Sequence, residues 1–302
     1  MSGIPRRFHA VFFALIASAL FTGNHVIVKL IAGEVHPFEI AFFRCAFGLL
    51  FLVPWFLHGG MAKMRTSRIK LFAFRGFLNA IAMMSFFTAL SLVPLAEITA
   101  ISFTAPLFAT LMAILILKET VGWRRWLALF AGIVGMLVIV RPGFDELSFG
   151  LLLAIFASAT WGFVTVVVKK LTTTESSVAI SAYMMVFMFP ITLLFSLPYW
   201  TWPDIEALFW MAAIAGMATF AQVCLAEALK YSDASAIVPY DFTRLLWAAL
   251  WGILFFSEVP DIWLWTGGVI IFTSTVFIAR REAQLKKAAH KDGNVDGAEP
   301  SP

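Results

Sequence analysis

Charge is scarce in this chain. Only 13% of its 302 residues are charged and 61% are hydrophobic, against about 25% charged in a soluble domain. That balance excludes a water-soluble globular protein and calls for an integral membrane protein. Cysteine is scarce too: Cys45 and Cys224 both fall inside apolar runs, which excludes a disulfide framework and a cysteine metal site. There is no His-Glu-x-x-His, no Gly-x-Ser-x-Gly and no Walker loop. No catalytic constellation is therefore expected, no cofactor or metal, and no ATP-driven mechanism from this chain alone. The net charge is +4, yet almost all charges lie between apolar segments, so nucleic acid is not an expected partner.

What is present is a series of long apolar runs. Ten are long enough to cross a bilayer, near 8–31, 37–57, 69–92, 95–117, 122–140, 148–169, 177–197, 204–230, 234–257 and 261–280, each close to the roughly 20 residues a span needs. Pro37, Pro94, Pro142, Pro203 and Pro260 mark the turns on one side. Arg6 and Arg7 precede an apolar stretch holding Ala17-Ser18-Ala19, which mimics a signal peptide. However, the run continues to Ile31, and Ala-Ser-Ala recurs at 157–159 inside another apolar segment. It reads as a helix-packing motif. With the N-terminus inside, 17 of the 22 Lys and Arg fall in cytoplasmic regions, Lys29 and Arg141 fall outside, and Arg44, Arg75 and Arg244 lie within spans. This asymmetry predicts an all-α fold of ten transmembrane helices with both termini cytoplasmic.

The chain also repeats itself. Between 14–29 and 154–169, seven positions match at an offset of 140, among them Ala17/Ala157, Ser18/Ser158 and Lys29/Lys169. At an offset of 139, Phe103-Thr104 matches Phe242-Thr243, Glu119 matches Glu258 and Trp126 matches Trp265. The period is five helices, an odd number, so the second half must enter the membrane from the opposite side. Such inverted repeats are a hallmark of secondary transporters, whose substrate sites lie between the halves near the midplane. The domains are expected at 8–140 and 148–281, followed by a disordered cytoplasmic tail at 282–302.

At this point the chain resembles a known family. Pro37-Phe38, Phe43-Arg44, Ala89-Leu90, Pro94, Pro106, Glu119, Gly132 and Gly135 in the first half carry the likeness. In the second half Ala228-Leu229-Lys230-Tyr231, Pro239, Glu258 and Gly267-Gly268 carry it. Together they are similar to the EamA type of the drug/metabolite transporter superfamily, over about residues 8–281. The resemblance implies ten helices in two five-helix repeats and a multi-pass carrier of the inner membrane. The stretch Pro239-Tyr240-Asp241-Phe242-Thr243-Arg244 departs from the commonest pattern, which is apolar there. It is similar to a subgroup that includes riboflavin and S-adenosylmethionine uptake proteins.

That stretch is also where the residues themselves point to chemistry. Asp241 and Arg244 lie near the middle of an apolar helix, at about 2.5–3.5 kcal/mol each on insertion scales, and their three-residue spacing puts them on one face. Their counterparts at offset 139 are Ser102 and Ala105, so the fold does not require the charges. Arg44 has no acidic residue within four positions on its helix and must find a partner elsewhere, Asp241 being one candidate. Trp247 shares the Arg244 face, Tyr240 adds a hydroxyl, and Trp161 is deep in its span. Arg75 is a weaker candidate because it can snorkel to the cytoplasmic surface; Asn79 is one turn deeper. Asn24 and His25 lie toward the outer end of helix 1, where His25 can simply be solvated. Asp241 is the candidate for proton coupling, since burial raises a carboxyl pKa. Glu227 and Lys230 read as a pair near the surface, and Glu119 and Glu258 as helix-end residues.

The expected function is secondary transport of a small polar metabolite by alternating access, with riboflavin and S-adenosylmethionine among the candidates. Two arginines against one aspartate favour a substrate with an anionic or strongly hydrogen-bonding group. The alternatives are an exporter of amino acids or drugs, a channel, and a membrane enzyme acting on lipid-linked substrates. The expected partners are a small-molecule substrate and the lipid bilayer; a homo-oligomer is left open.

Overall fold

The computed structural model describes residues 6–57, 66, 68–118, 122–141, 148–175, 177–232 and 234–295. Lys63, Arg65, Glu119, Pro142 and the tail beyond Val295 lie outside them. Among the described residues the regular structure is helical, as a hydrocarbon environment demands of a chain that must satisfy its own backbone. The helices are α1 Arg6–Ile31, α2 Pro37–Leu57, α3 Ile69–Leu92, α4 Leu95–Ser102, α5 Ala105–Leu117 and α6 Trp123–Val140. They continue with α7 Phe149–Leu171, α8 Ser177–Ser196, α9 Ile205–Tyr231, α10 Ala234–Asp241, α11 Thr243–Phe256 and α12 Ile262–Val295. Eight stretches are long and apolar enough to cross a membrane, Leu95–Leu117 counting as one of them. The other two expected spans are α2 and the interrupted pair α10–α11. The last helix continues past Arg281, where the tail was expected to lose structure. Residues 282–289 there are Glu-Ala-Gln-Leu-Lys-Lys-Ala-Ala, all good helix formers.

Two of the expected helices are broken in mid-course, at Phe103 and at Phe242, 139 residues apart. The breaks share a device. Thr104 Oγ1 donates to Ile101 O and Thr243 Oγ1 to Tyr240 O, both at 2.6 Å. Each hydroxyl takes a carbonyl that a regular helix would offer to a backbone N–H. At the first break Pro106 adds a second cause, because it cannot donate and crowds the carbonyl four residues back. The second helix also holds a proline, Pro239, yet α10 stays helical through it, and the break comes at Phe242, whose N–H reaches Val238 O only at 3.4 Å. The two break residues stack face to face, with ring centroids 3.9 Å apart and planes at 17°.

The halves interdigitate: α1 packs on α9, α3 on α7 and α6 on α12. Small side chains permit the approach. Ala17, Ser18, Ala157 and Ser158 are fully buried, which accounts for the recurring Ala-Ser-Ala as packing. Each serine also reaches a break in the other half. Ser18 Oγ lies 2.7 Å from Thr243 Oγ1, and Ser158 Oγ donates to Ile101 O at 3.1 Å. A Cβ on Gly135 would stand 2.9 Å from Gly267 O, so the α6 and α12 backbones touch.

Candidate functional site

The breaks bring the opening stretch of α11 against α1. Thr22 Oγ1 lies 3.5 Å from Arg244 O, and the Arg244 guanidinium sits over the rings of Phe21 (5.1 Å) and Phe103 (5.7 Å). Its Nη1 is 3.4 Å from Asp241 Oδ2, a long contact between groups 18% and 33% exposed. Such a pair is held loosely and does not consume the guanidinium; the buried Arg244 Nε has no hydrogen-bond partner. One turn beyond Phe21 on the same face of α1, His25 lies within electrostatic reach of both Arg244 and Arg44. It is 9% exposed, so it is buried rather than solvated. Its ring makes a T-shaped contact with Phe86 at 4.9 Å, and Phe86 in turn meets Trp161 at 5.0 Å. Trp247 packs 5.8 Å from Trp251. The buried His25 Nδ1 and Trp247 Nε1 have no hydrogen-bond partner. Buried polar atoms are normally satisfied; among the described residues, three such orphans lie on the adjacent helices α1 and α11.

Other expected residues make other contacts. Asn24 Nδ2 donates to Ile214 O at 2.6 Å, strapping α1 to α9. Asn79 Nδ2 returns to Arg75 O in its own helix at 3.2 Å. Tyr240 is exposed. Arg75 does not snorkel: it is buried, and Nη1 donates to Ile180 O at 2.6 Å. Arg44 meets Met83 Sδ at 2.7 Å rather than Asp241. Arg44 and Arg75 instead line a shared cavity of ≈ 240 Å³. Glu227 and Lys230 form the expected surface pair.

The two ends of the bundle differ. At the end where α1 finishes, contacts tie residues before 142 to residues after 196. Lys29 Nζ pairs with Glu258 Oε1 at 2.6 Å, and Glu258 Oε2 accepts from Leu95 N at 2.8 Å. Arg141 pairs with Asp261 at 2.5 Å. Glu39 accepts from Thr201 N at 2.6 Å, and His36 stacks on Tyr199 at 3.9 Å. Ser257 turns left-handed (φ 56°), which folds Glu258 back so that its N–H caps Gly252 O and its carboxylate aims at Lys29. At the opposite end a cavity of ≈ 460 Å³ opens between α5 and α10, lined by Ala109, Ala113, Thr165, Lys169, Val238 and Thr275. Sequence reasoning named Glu258 a helix-end residue but missed its pairing with Lys29. The signal was available, because Lys29 and Glu258 each recur at the matching position of the other half.

A family model, that of the EamA-like transporter family, matches residues 9–141 and again 148–280. The chain belongs to the EamA-like transporter family. The S-adenosylmethionine uptake transporter of Rickettsia prowazekii is 28% identical over 278 residues, spanning 92% of this chain and 94% of that one. The riboflavin transporter of Vibrio cholerae is 31% identical over 259 residues, spanning 85% and 86%. A pseudopaline exporter of Pseudomonas aeruginosa is 28% identical over 282 residues, spanning 89% and 95%. A solved crystal structure shares the fold at a TM-score of 0.60 and 17% identity, covering 90% of this chain and 96% of that one. This EamA protein is a small-molecule transporter and not an enzyme, a multi-pass membrane protein.

Proposed function

We propose that the chain is a secondary carrier that moves a small polar metabolite by alternating access, with ten spans in two inverted five-helix halves and both termini cytoplasmic. The observation that carries this reading is the pair of broken helices. Discontinuous helices meeting near the midplane are where inverted-repeat carriers build their sites. Here the breaks stack on each other through Phe103 and Phe242. They are braced by Ser18 and Ser158, each from the opposite half, and stand beside Arg244 and His25. The charge asymmetry of the loops supports placing the Lys29–Glu258 end outside and the ≈ 460 Å³ cavity on the cytoplasmic side. The described conformation is then open inward and latched outward.

The substrate occupies the space around Arg244, Asp241, His25 and Trp247, with Phe21, Phe86, Phe103 and Trp161 as walls for a flat ring. S-adenosylmethionine and riboflavin, named for two relatives, both carry a planar heteroaromatic ring and are the first compounds to try. Asp241 is the proton-coupling candidate, its carboxylate engaged, among the described residues, by the long Arg244 contact. An inward-open cavity also serves an exporter, the activity named for a third relative. Counterflow in proteoliposomes tests the reading in either direction. Purified protein is expected to exchange labelled riboflavin or S-adenosylmethionine saturably, and Asp241→Asn and Arg244→Ala to abolish exchange while remaining inserted. Normal exchange by both variants would refute this site, and ohmic current without saturation would refute a carrier.

A further inference from the structure

A second set of cations remains without counter-ions. Arg44 and Arg75 line one cavity of ≈ 240 Å³ between α2, α3, α8 and α9, together with Met184, Thr219 and Gln222. Arg75 is 8% exposed, donates Nη1 to Ile180 O, lies 3.5 Å from Met184 Sδ through Nη2, and leaves Nε without a partner. Among the described residues Arg44 donates to a thioether, Met83 Sδ, at 2.7 Å, and thioether sulfur is a weak acceptor. No carboxylate among the described residues pairs with either arginine. Each guanidinium carries five donors, so most of the ten are unspent. Two uncompensated cations at one cavity inside apolar helices are costly unless an anion completes them.

The geometry points to an oxyanion site: the Arg44–Arg75 cavity receives the carboxylate or phosphate of a small ligand. The planar forks of two guanidiniums match the two or three oxygens of such a group, which a point anion such as chloride does not. Thr219 and Gln222 supply neutral hydrogen-bonding groups on the wall, and the methionines adapt to the rest of the ligand. This deepens the carrier reading and rests on it for the assumption that substrate enters the cavity. It sorts candidate substrates by chemistry: an amino-acid carboxylate or a phosphate monoester uses the site, and a neutral ring system does not.

The test uses the full chain in neutral detergent. Sulfate is compared with chloride at equal ionic strength, methionine with its amide, and riboflavin with riboflavin 5′-phosphate. In the unmodified protein, phenylglyoxal labelling of each arginine is followed by peptide mass spectrometry. At ten times its dissociation constant, an oxyanion ligand is expected to slow labelling of Arg44 and Arg75 by about tenfold and to leave Arg124 and Arg281 unchanged. Calorimetry then compares Arg44→Gln and Arg44→Lys, chosen because Arg75 also holds Ile180 O. R44Q is expected to lose about tenfold or more in affinity for the member of each pair that carries the oxyanion and nothing for the member that lacks it; R44K recovers part of the loss. Protection by methionine alone identifies a carboxylate, and protection by the riboflavin phosphate alone a phosphate. Absence of protection, equal losses for members with and without the oxyanion, or protection by sulfate with neither pair discriminating would each overturn the proposal. Failed counterflow with protection intact would overturn the carrier reading and leave this site standing.

Discussion

Replacing Glu258 by glutamine removes one charge of the Lys29–Glu258 pair while keeping the side chain's shape. In the wild type the Lys29 and Glu258 side chains are 12% and 20% exposed and 2.6 Å apart. An exposed pair contributes about 0–1 kcal/mol, whereas losing one partner of a buried pair costs about 3–5 kcal/mol. At these exposures about 2 kcal/mol is reasonable. The glutamine oxygen still accepts from Leu95 N, and Lys29 still donates to Val93 O at 2.6 Å and lies 5.3 Å from the Phe256 ring, so the loss is confined to the ion pair. For a chain of this length that is a fall of about 4 °C in apparent Tm, followed by intrinsic fluorescence. Lys29→Met should cost a similar amount. The double variant should fall short of the sum by about 1–2 kcal/mol, because it leaves no orphan charge. Hydrogen exchange in the α1–α2 and α11–α12 turns should rise in parallel, since the latch holds both. Strict additivity of the two losses, or an E258Q protein indistinguishable from wild type, would show that the ion pair does not close this end.

Three further outcomes follow from contacts elsewhere. Gly162→Ala should prevent α5 from packing on α7, because its Cβ would stand 2.7 Å from Ala109 N and 2.9 Å from Ala105 O. A monodisperse elution peak like that of Gly216→Ala, whose Cβ lies 3.8 Å from its nearest neighbour, would contradict this. Asn24→Ala should lower apparent Tm by about 2–4 °C for the lost Ile214 bond yet leave ligand affinity unchanged; a selective loss of affinity would return Asn24 to the site. His36 is shifted below its ordinary pKa by burial, with Glu39 partly opposing, and its Nδ1 accepts from Phe38 N at 3.2 Å. Protonation favours the unfolded chain, so stability is full above about pH 6.5 and declines as pH falls through the lower folded value. The half-exposed ring limits the effect to under about 1 kcal/mol, and His36→Gln should flatten that part of the pH–Tm curve.

What could be read from the sequence depended on the range of the interactions involved. The helices were legible because each rests on a local property, a run of apolar residues as long as a bilayer is thick. The helix breaks were half legible. The matching Phe-Thr at 103–104 and 242–243 was visible, but nothing in it marks a break. Each break carries a threonine hydroxyl bonded to the carbonyl three residues back, and hydroxyls in unbroken helices make the same kind of bond, as Ser18 does to Leu15 O. The cost of Asp241, Arg244 and Arg44 in hydrocarbon was legible one residue at a time; their partners were not. Asp241 was offered to Arg44 because both were charged and unexplained. A pairing, however, depends on which helix faces which, and α2 turns Arg44 toward Met83 and Arg75. The same reasoning recovers the latch. Lys29 and Glu258 were scored as a loop charge and a helix end, each sensible alone. Because both recur in the opposite half, a stronger inference was open: a residue repeated at matching positions is a candidate for contacts between the halves. Ser18 and Ser158 obey that rule, as do Phe103 and Phe242. Arg44, Asp241 and Arg244 break it: Met184, Ser102 and Ala105 stand at the matching positions of the other half, where the helices form without the charges.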